Sequence, residues 1–287
     1  MSMSIQSVKF QGLDALQLRT ADGASAIVSL YGAQVLSWVP AGGDERLFLS
    51  ELARFDGRSP IRGGIPVCFP QFSQLGSLPK HGFVRTRVWR LAQQQSDDDH
   101  AMVTLELDDD EETRKLWPYA FKAELTLLVS GDRLDVELGV LNTGDAPFTF
   151  TAALHSYLRV REVEEAVLEG LYGHEYRDAA DGDAIKQDNK PDLRVDDEVD
   201  RVYHDVKRPL LLRDGKRSVG INNDGGFPDV VVWNPWEHLT KTLSDMAPTA
   251  FRRMLCIEAA AARNPVTVEP GGEWWGRQTL VAMQSED

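Results

Sequence analysis

Apolar positions along the chain fall mostly into short runs that alternate with polar ones at period two. Leu134, Val136, Leu138 and Val140 point one way from an extended chain, and Asp135, Glu137 and Gly139 point the other. That is the pattern of a strand with one buried face. Residues 121–129 read as its partner, with Ser130-Gly131-Asp132 as a short hairpin loop between them. Similar segments recur at 26–30, 34–39, 102–107, 148–154, 210–212, 218–221, 230–233, 254–257 and 279–283. Turn signals rich in Gly, Asn and Asp, such as those at 41–44, 142–145, 224–226 and 269–272, separate many of them. Helix is scarce. Residues 110–117 predict about two turns before Pro118 stops them, and 236–246 predict another short helix. The polar stretch 177–201 reads as a long connection, of the kind that is often functional. Many closely spaced strands with little helix predict one all-β antiparallel sandwich, a single domain over 1–287.

Charge narrows the partners. The chain has 287 residues, with 31 basic against 45 acidic ones, for a net charge of −14. Nucleic acid and anionic membranes want clustered Lys and Arg, so neither is expected as a partner. A small anion is not excluded, because a local field can oppose the global sign. The acidic runs 97–99 and 108–112 read as solvated loop and helix-start charges. Cys68 and Cys256 are the only cysteines, too few for a disulfide framework or a four-ligand zinc site. The first 18 residues lack the apolar run of a signal peptide, and no segment suggests a membrane span. A reducing cytoplasm is the expected location.

Five segments could carry chemistry. In Arg62-Gly63-Gly64-Ile65-Pro66 two glycines permit close backbone approach; a buried turn bearing a surface Arg is the plainer reading. Lys80, His81 and Arg85 place three potential cations within six residues, as a phosphate-binding loop or as a mobile basic loop. Strand alternation puts Thr149, Thr151, Ala153 and His155 on one small, polar face, unlike a core. His155 is then either a structural histidine or an imidazole at the end of a concave sheet. Met254, Cys256 and Glu258 likewise share a face, and the alanines at 259–262 give Glu258 a weakly polar setting that would raise its basicity. A strand-end Glu reaching solvent is the alternative. Trp233-Asn234-Pro235-Trp236 forms an aromatic corner, suited to stacking on a sugar or to core packing. In the acidic cluster 196–200 one carboxylate could accept bonds from substrate hydroxyls. The chain has no His-Glu-x-x-His, Cys-x-x-Cys or Gly-x-Ser-x-Gly motif and no dinucleotide glycine fingerprint. Acid–base side chains alone, with no cofactor and no metal, are therefore the expected means of catalysis.

These segments, in this order, resemble the hexose-6-phosphate mutarotases, or glucose-6-phosphate 1-epimerases, within the aldose 1-epimerase family. The matching pieces are RGGIPVCFPQF, LPKHGFVR, TRKLWPYAF, LHSYLRV, EVDRVY, VVWNPW and LCIEAA, spread over residues 62–260. The resemblance implies a galactose-mutarotase-like super β-sandwich that interconverts the α and β anomers of an aldose 6-phosphate. It carries the general acid to His155 and the general base to Glu258. Substrate contacts carry to Arg62, Lys80, His81, Arg85 and Asp200. At position 80 a Lys stands where relatives often have Gln before His-Gly. The implied partner is a small sugar phosphate, and a monomer is expected. Two other functions fit the same residues: a mutarotase for unphosphorylated aldoses, which would not need the cationic set, and a non-catalytic sugar-phosphate binder.

Overall fold

The computed structural model describes residues 4–284; residues 1–3, the start of the segment read as leaderless, and residues 285–287 lie outside the described residues. The hairpin at 121–142 is present. Phe121–Ser130 alternates buried and half-buried positions along its whole length, and it pairs antiparallel with Arg133–Asn142 from Phe121↔Asn142 to Ser130↔Arg133. These two strands lie within a nine-stranded sheet. An eight-stranded sheet runs, in order, through Ala184–Gln187, Glu175–Asp178, Val199–Tyr203, Asp229–Asn234, Met254–Val268, Phe148–Leu154 and Val67–Cys68. Its remaining strand, Tyr157–Arg159, pairs with Met254–Val268 in line with Phe148–Leu154. Four strands between Ser4 and Val39 form a third sheet. Among the described residues all of the strand pairs are antiparallel apart from one isolated bridge.

The two large sheets share one continuous core. From the eight-stranded sheet, Phe148, Phe150, Ala152 and Leu154 enter it together with Leu255, Ile257, Ala259 and Ala261. Alternate residues on the opposite face, Ala153, Val202, Val231, Ala260 and Ala262, join Cys68 and Phe72 in a separate small cluster. Phe72 and Val231 of that cluster line a cavity on this face.

Several elements depart from their sequence patterns for identifiable reasons. The strand predicted over 254–257 continues to Val268, although Pro265 lies inside it. Pairing with Phe148–Leu154 jumps from Ala261 to Val266 across that stretch, so the proline sits in a bulge where its missing N–H costs no ladder bond. The stretch 177–201, read as a connection, contains two short edge strands, Ala184–Gln187 and Asp192–Leu193, and overlaps the ends of Glu175–Asp178 and Val199–Tyr203. Their outward side is polar and Ile185 is exposed, so the period-two signal is weak. The helix predicted over 236–246 ends at Thr240, because the following residues are drawn into turns against Arg62 and Ser50. The helix predicted over 110–117 spans Glu111–Leu116, with Asp110 capping the Thr113 amide. Asp97 is exposed as expected, but Asp109 is structural: it accepts from the Phe121 amide at 3.0 Å and pairs with Arg114.

Candidate active site

Cross-strand register brings His155 and Glu258 together. Phe148–Leu154 pairs with the long strand through Leu154↔Ala259, and Tyr157–Arg159 resumes the same register at Tyr157↔Cys256. Carried one residue past Leu154, this register sets His155 opposite Glu258. The sheet breaks between Leu154 and Tyr157, where the Ile257 amide donates to the Ser156 carbonyl at 3.1 Å. The result is a 3.3 Å approach of His155 Nδ1 to Glu258 Oε1. One step along the sheet, the row Asp200–Trp233–Cys256–Tyr157 runs across four strands. His155 stacks on Tyr157 with ring centroids 4.7 Å apart, and Trp233 and His81 meet it edge-on.

Two loops close the cavity over this face. Gly64 has φ +63°, and a Cβ there would lie 2.1 Å from the Val35 carbonyl oxygen. Only glycine lets this segment pass so close to its neighbours. Having done so, it accepts from the Tyr157 amide through the Gly64 carbonyl and from the His155 amide through the Pro66 carbonyl, both at 2.9 Å. Arg62 is thereby held at the cavity wall, where it donates to the Tyr157 hydroxyl at 3.0 Å and to Asp245 at 3.2 Å. In the second loop Gly82 bridges to Phe69, and the His81 amide donates to the Ser73 carbonyl at 2.9 Å. Nδ1 of His81 accepts from the Ser73 amide at 3.2 Å, which leaves its proton on Nε2. Arg85 folds back to donate to the Lys80 carbonyl at 2.7 Å, while the Lys80 side chain is exposed.

The cavity has a volume of about 430 Å³, and all seven residues singled out from the sequence line it: Arg62, Lys80, His81, Arg85, His155, Asp200 and Glu258. Trp233 also lines it, whereas Trp236 packs on Phe251 at 5.1 Å, so the aromatic corner divides between both readings. Arg54, Tyr157 and Asp245 line it too, and sequence reasoning missed them. For Tyr157 a signal existed, since alternation places it on the same side as His155. Arg54 and Asp245 lie in irregular segments where no periodicity reports direction.

Burial controls the charge states. It pushes His155 well below its ordinary pKa, with His81, Arg62 and Arg85 adding to the effect. It pushes Glu258 well above the carboxylate range; Asp200 adds to this and Lys80 opposes it. Both shifts favour a neutral carboxyl beside a neutral imidazole, a close contact and not an ion pair. His155 Nδ1 and Glu258 Oε2 are buried without hydrogen-bond partners, a cost that a bound polar ligand would relieve. Burial also raises Asp200 to about 6 and lowers His81 to about 2. For Arg62 burial disfavours the cation, but the Tyr157 phenol and the Asp245 carboxylate more than offset it. Cys256 offers its sulfur within 4.8 Å of donor atoms on His155 and Glu258. Burial keeps that thiol protonated and Glu258 neutral, which is a poor state for ligating a cation. The arrangement is suited to moving protons: an acid and a base side by side, a neutral N–H donor, and cations at the rim.

Comparison with known proteins fits this geometry. The profile of the family described as aldose 1-epimerase matches residues 14–280. A protein of Cenchrus ciliaris with the provisional name glucose-6-phosphate 1-epimerase is 37% identical over 96% of this chain and 86% of its own length. A Salmonella typhimurium structure provisionally described as a mutarotase superposes with a TM-score of 0.89 at 27% identity, covering 99% of this chain and 97% of that one. A galactose mutarotase-like protein from Clostridium acetobutylicum shares the fold alone, with a TM-score of 0.79 at 14% identity over 99% of each chain.

Proposed function

The chain belongs to the aldose 1-epimerase family, and we propose that its substrate is a hexose 6-phosphate, foremost glucose 6-phosphate, whose α and β anomers it interconverts. The observation that carries this reading is the cationic set Arg62, Lys80 and Arg85 on the wall of the same cavity as His155 and Glu258, in a protein of net charge −14. A neutral sugar needs no such set. The name of the plant relative points the same way.

In the proposed reaction Glu258, as carboxylate, takes the proton from the C1 hydroxyl. His155, as imidazolium, delivers a proton to the ring oxygen. The C1–O5 bond breaks as the C1 carbonyl forms, and the aldehyde turns about C1–C2. Attack of O5 on the other face then closes the ring, with both proton transfers reversed. Each positioned acid or base contributes on the order of 10²–10⁴-fold. The reactive pair carries the same number of protons as the neutral pair; one proton moves from Glu258 to His155. Substrate itself favours that shift. Burial is the main burden on His155, and a phosphate dianion beside Arg62 and Arg85 offsets the smaller guanidinium share of it, while Lys80 continues to favour the Glu258 carboxylate. Asp200 and the His81 Nε2–H contact sugar hydroxyls in this scheme, and the active species is a monomer.

The test compares two substrates. Arg85→Ala is expected to lower kcat/KM for glucose 6-phosphate by about tenfold or more, the loss of a charge-assisted contact, and to leave turnover of glucose nearly unchanged. Equal losses on both sugars would remove the phosphate from the proposal.

A further inference from the structure

A second cavity is lined by Phe48, whose ring stacks at 6.4 Å on Tyr157 of the first cavity's wall. It encloses about 410 Å³ and brings Phe48, Leu49, Ala247 and Ala250 together with Arg159 and Arg253. The same two arginines line an adjoining hollow of about 280 Å³ that also receives Arg161 and Arg217. The strand register explains the convergence. Arg159 pairs with Met254, and the Val160 amide donates to the Arg253 carbonyl at 3.0 Å, so Arg159 and Arg253 are neighbours across the strand pair.

The charges here do not cancel. Arg161 and Arg217 share the buried carboxylate of Asp214, at 3.3 and 2.7 Å. Glu45 is occupied by the amides of Trp38 and Leu47, both at 2.9 Å. Arg46, only 4% exposed, sits beside Arg217 with its Nε unpartnered. Arg253 donates one nitrogen to the Arg161 carbonyl at 2.5 Å, and Arg159 makes no ion pair among the described residues. Asp44 and Glu51 are the other carboxylates lining the two hollows. Four arginines thus line the two hollows with three carboxylates, of which Glu45 is already committed, in a protein of net charge −14.

We propose that this groove is a second ligand site, taking a phosphate monoester whose dianion lies between Arg159 and Arg253 and whose apolar body rests on Phe48, Leu49 and Ala250. Guanidinium forks match phosphate oxygens in pairs, and the apolar part of the same lining would be left wet by inorganic phosphate alone. The site is distinct from the first cavity and does not depend on what that cavity binds.

Phenyl phosphate is the probe, titrated by calorimetry with inorganic phosphate and phenol as controls. Glucose 6-phosphate is left out, because its own dianion would compete in the groove. Arg159→Ala/Arg253→Ala is expected to weaken one phenyl phosphate site of the wild type by about tenfold or more. Phenol, which lacks the dianion, should not bind there. Both arginines are exposed, so the variant should melt with the wild type. Amide resonances of Thr249 and Ala250, which line the groove, should move on titration of the unsubstituted protein, a readout that needs no variant. Phenyl phosphate binding that is identical in wild type and the double variant, with those resonances unmoved, would overturn the site. Because the signal is a difference between these two proteins, it stands even if the first cavity proves not to take a phosphate.

Discussion

Glu258 faces His155 across a strand pair, deep enough that each is driven to its uncharged form. The same burial ties stability to pH. The folded state holds the Glu258 proton well above the pH at which the unfolded chain releases it. Its stabilising contribution is therefore complete at low pH and is lost as pH rises toward the folded pKa. Asp200, at about 6, and the lowered His81 and His155 titrate below this window. Between about pH 6.5 and 8, wild type should lose up to about 1.4 kcal/mol of unfolding free energy per pH unit. Glu258→Gln, with no proton to lose, should show a flatter slope in urea unfolding at the two ends of that range. Equal slopes would mean that Glu258 is already ionised in the resting protein. Residue types and alternation were enough to mark both side chains as candidates. Their pairing was not legible, because it depends on a register carried through a break in the strand at Ser156.

At the scale of elements, tight backbone crossings decide where the charged loops go. Gly82 has φ +71°, and a Cβ there would lie 2.1 Å from the Phe69 carbonyl oxygen. No flexible side-chain tip could yield; backbone would have to move. Gly82→Ala should lower unfolding free energy by about 2 kcal/mol or more, measured by urea denaturation. A loss below about 0.5 kcal/mol, the range of ordinary surface changes, would show that the loop carrying Lys80, His81 and Arg85 shifts freely. Strands with one buried and one polar face were readable from the chain, as in Phe121–Ser130 and Arg133–Asn142. Edge strands such as Ala184–Gln187 were not, since neither side of them is apolar throughout. Ser4–Phe10, at the edge of the small sheet, went unread for the same reason.

For the whole molecule the main tension is electrostatic. A net charge of −14 repels a sugar phosphate at long range, so the proposed substrate would have to be attracted by the cavity wall within ~8 Å, the Debye length at physiological salt. Arg62, Lys80 and Arg85 do share that wall, joined by Arg54 from an irregular segment that gave no sign of its direction. The sandwich was legible from strand spacing alone, and among the described residues no helix is long and apolar enough to cross a membrane. Alternation also marked the open face, through the small, polar row that ends at His155; what spacing could not supply was the irregular wall that brings Arg54 and Asp245 to it. The decisive measurement is polarimetry on freshly dissolved α-glucose 6-phosphate with wild type and His155→Ala/Glu258→Ala. Wild type should relax the solution to its anomeric equilibrium about 10²-fold or more faster than the double variant; equal rates in the two proteins would contradict the assignment of His155 and Glu258 as acid and base.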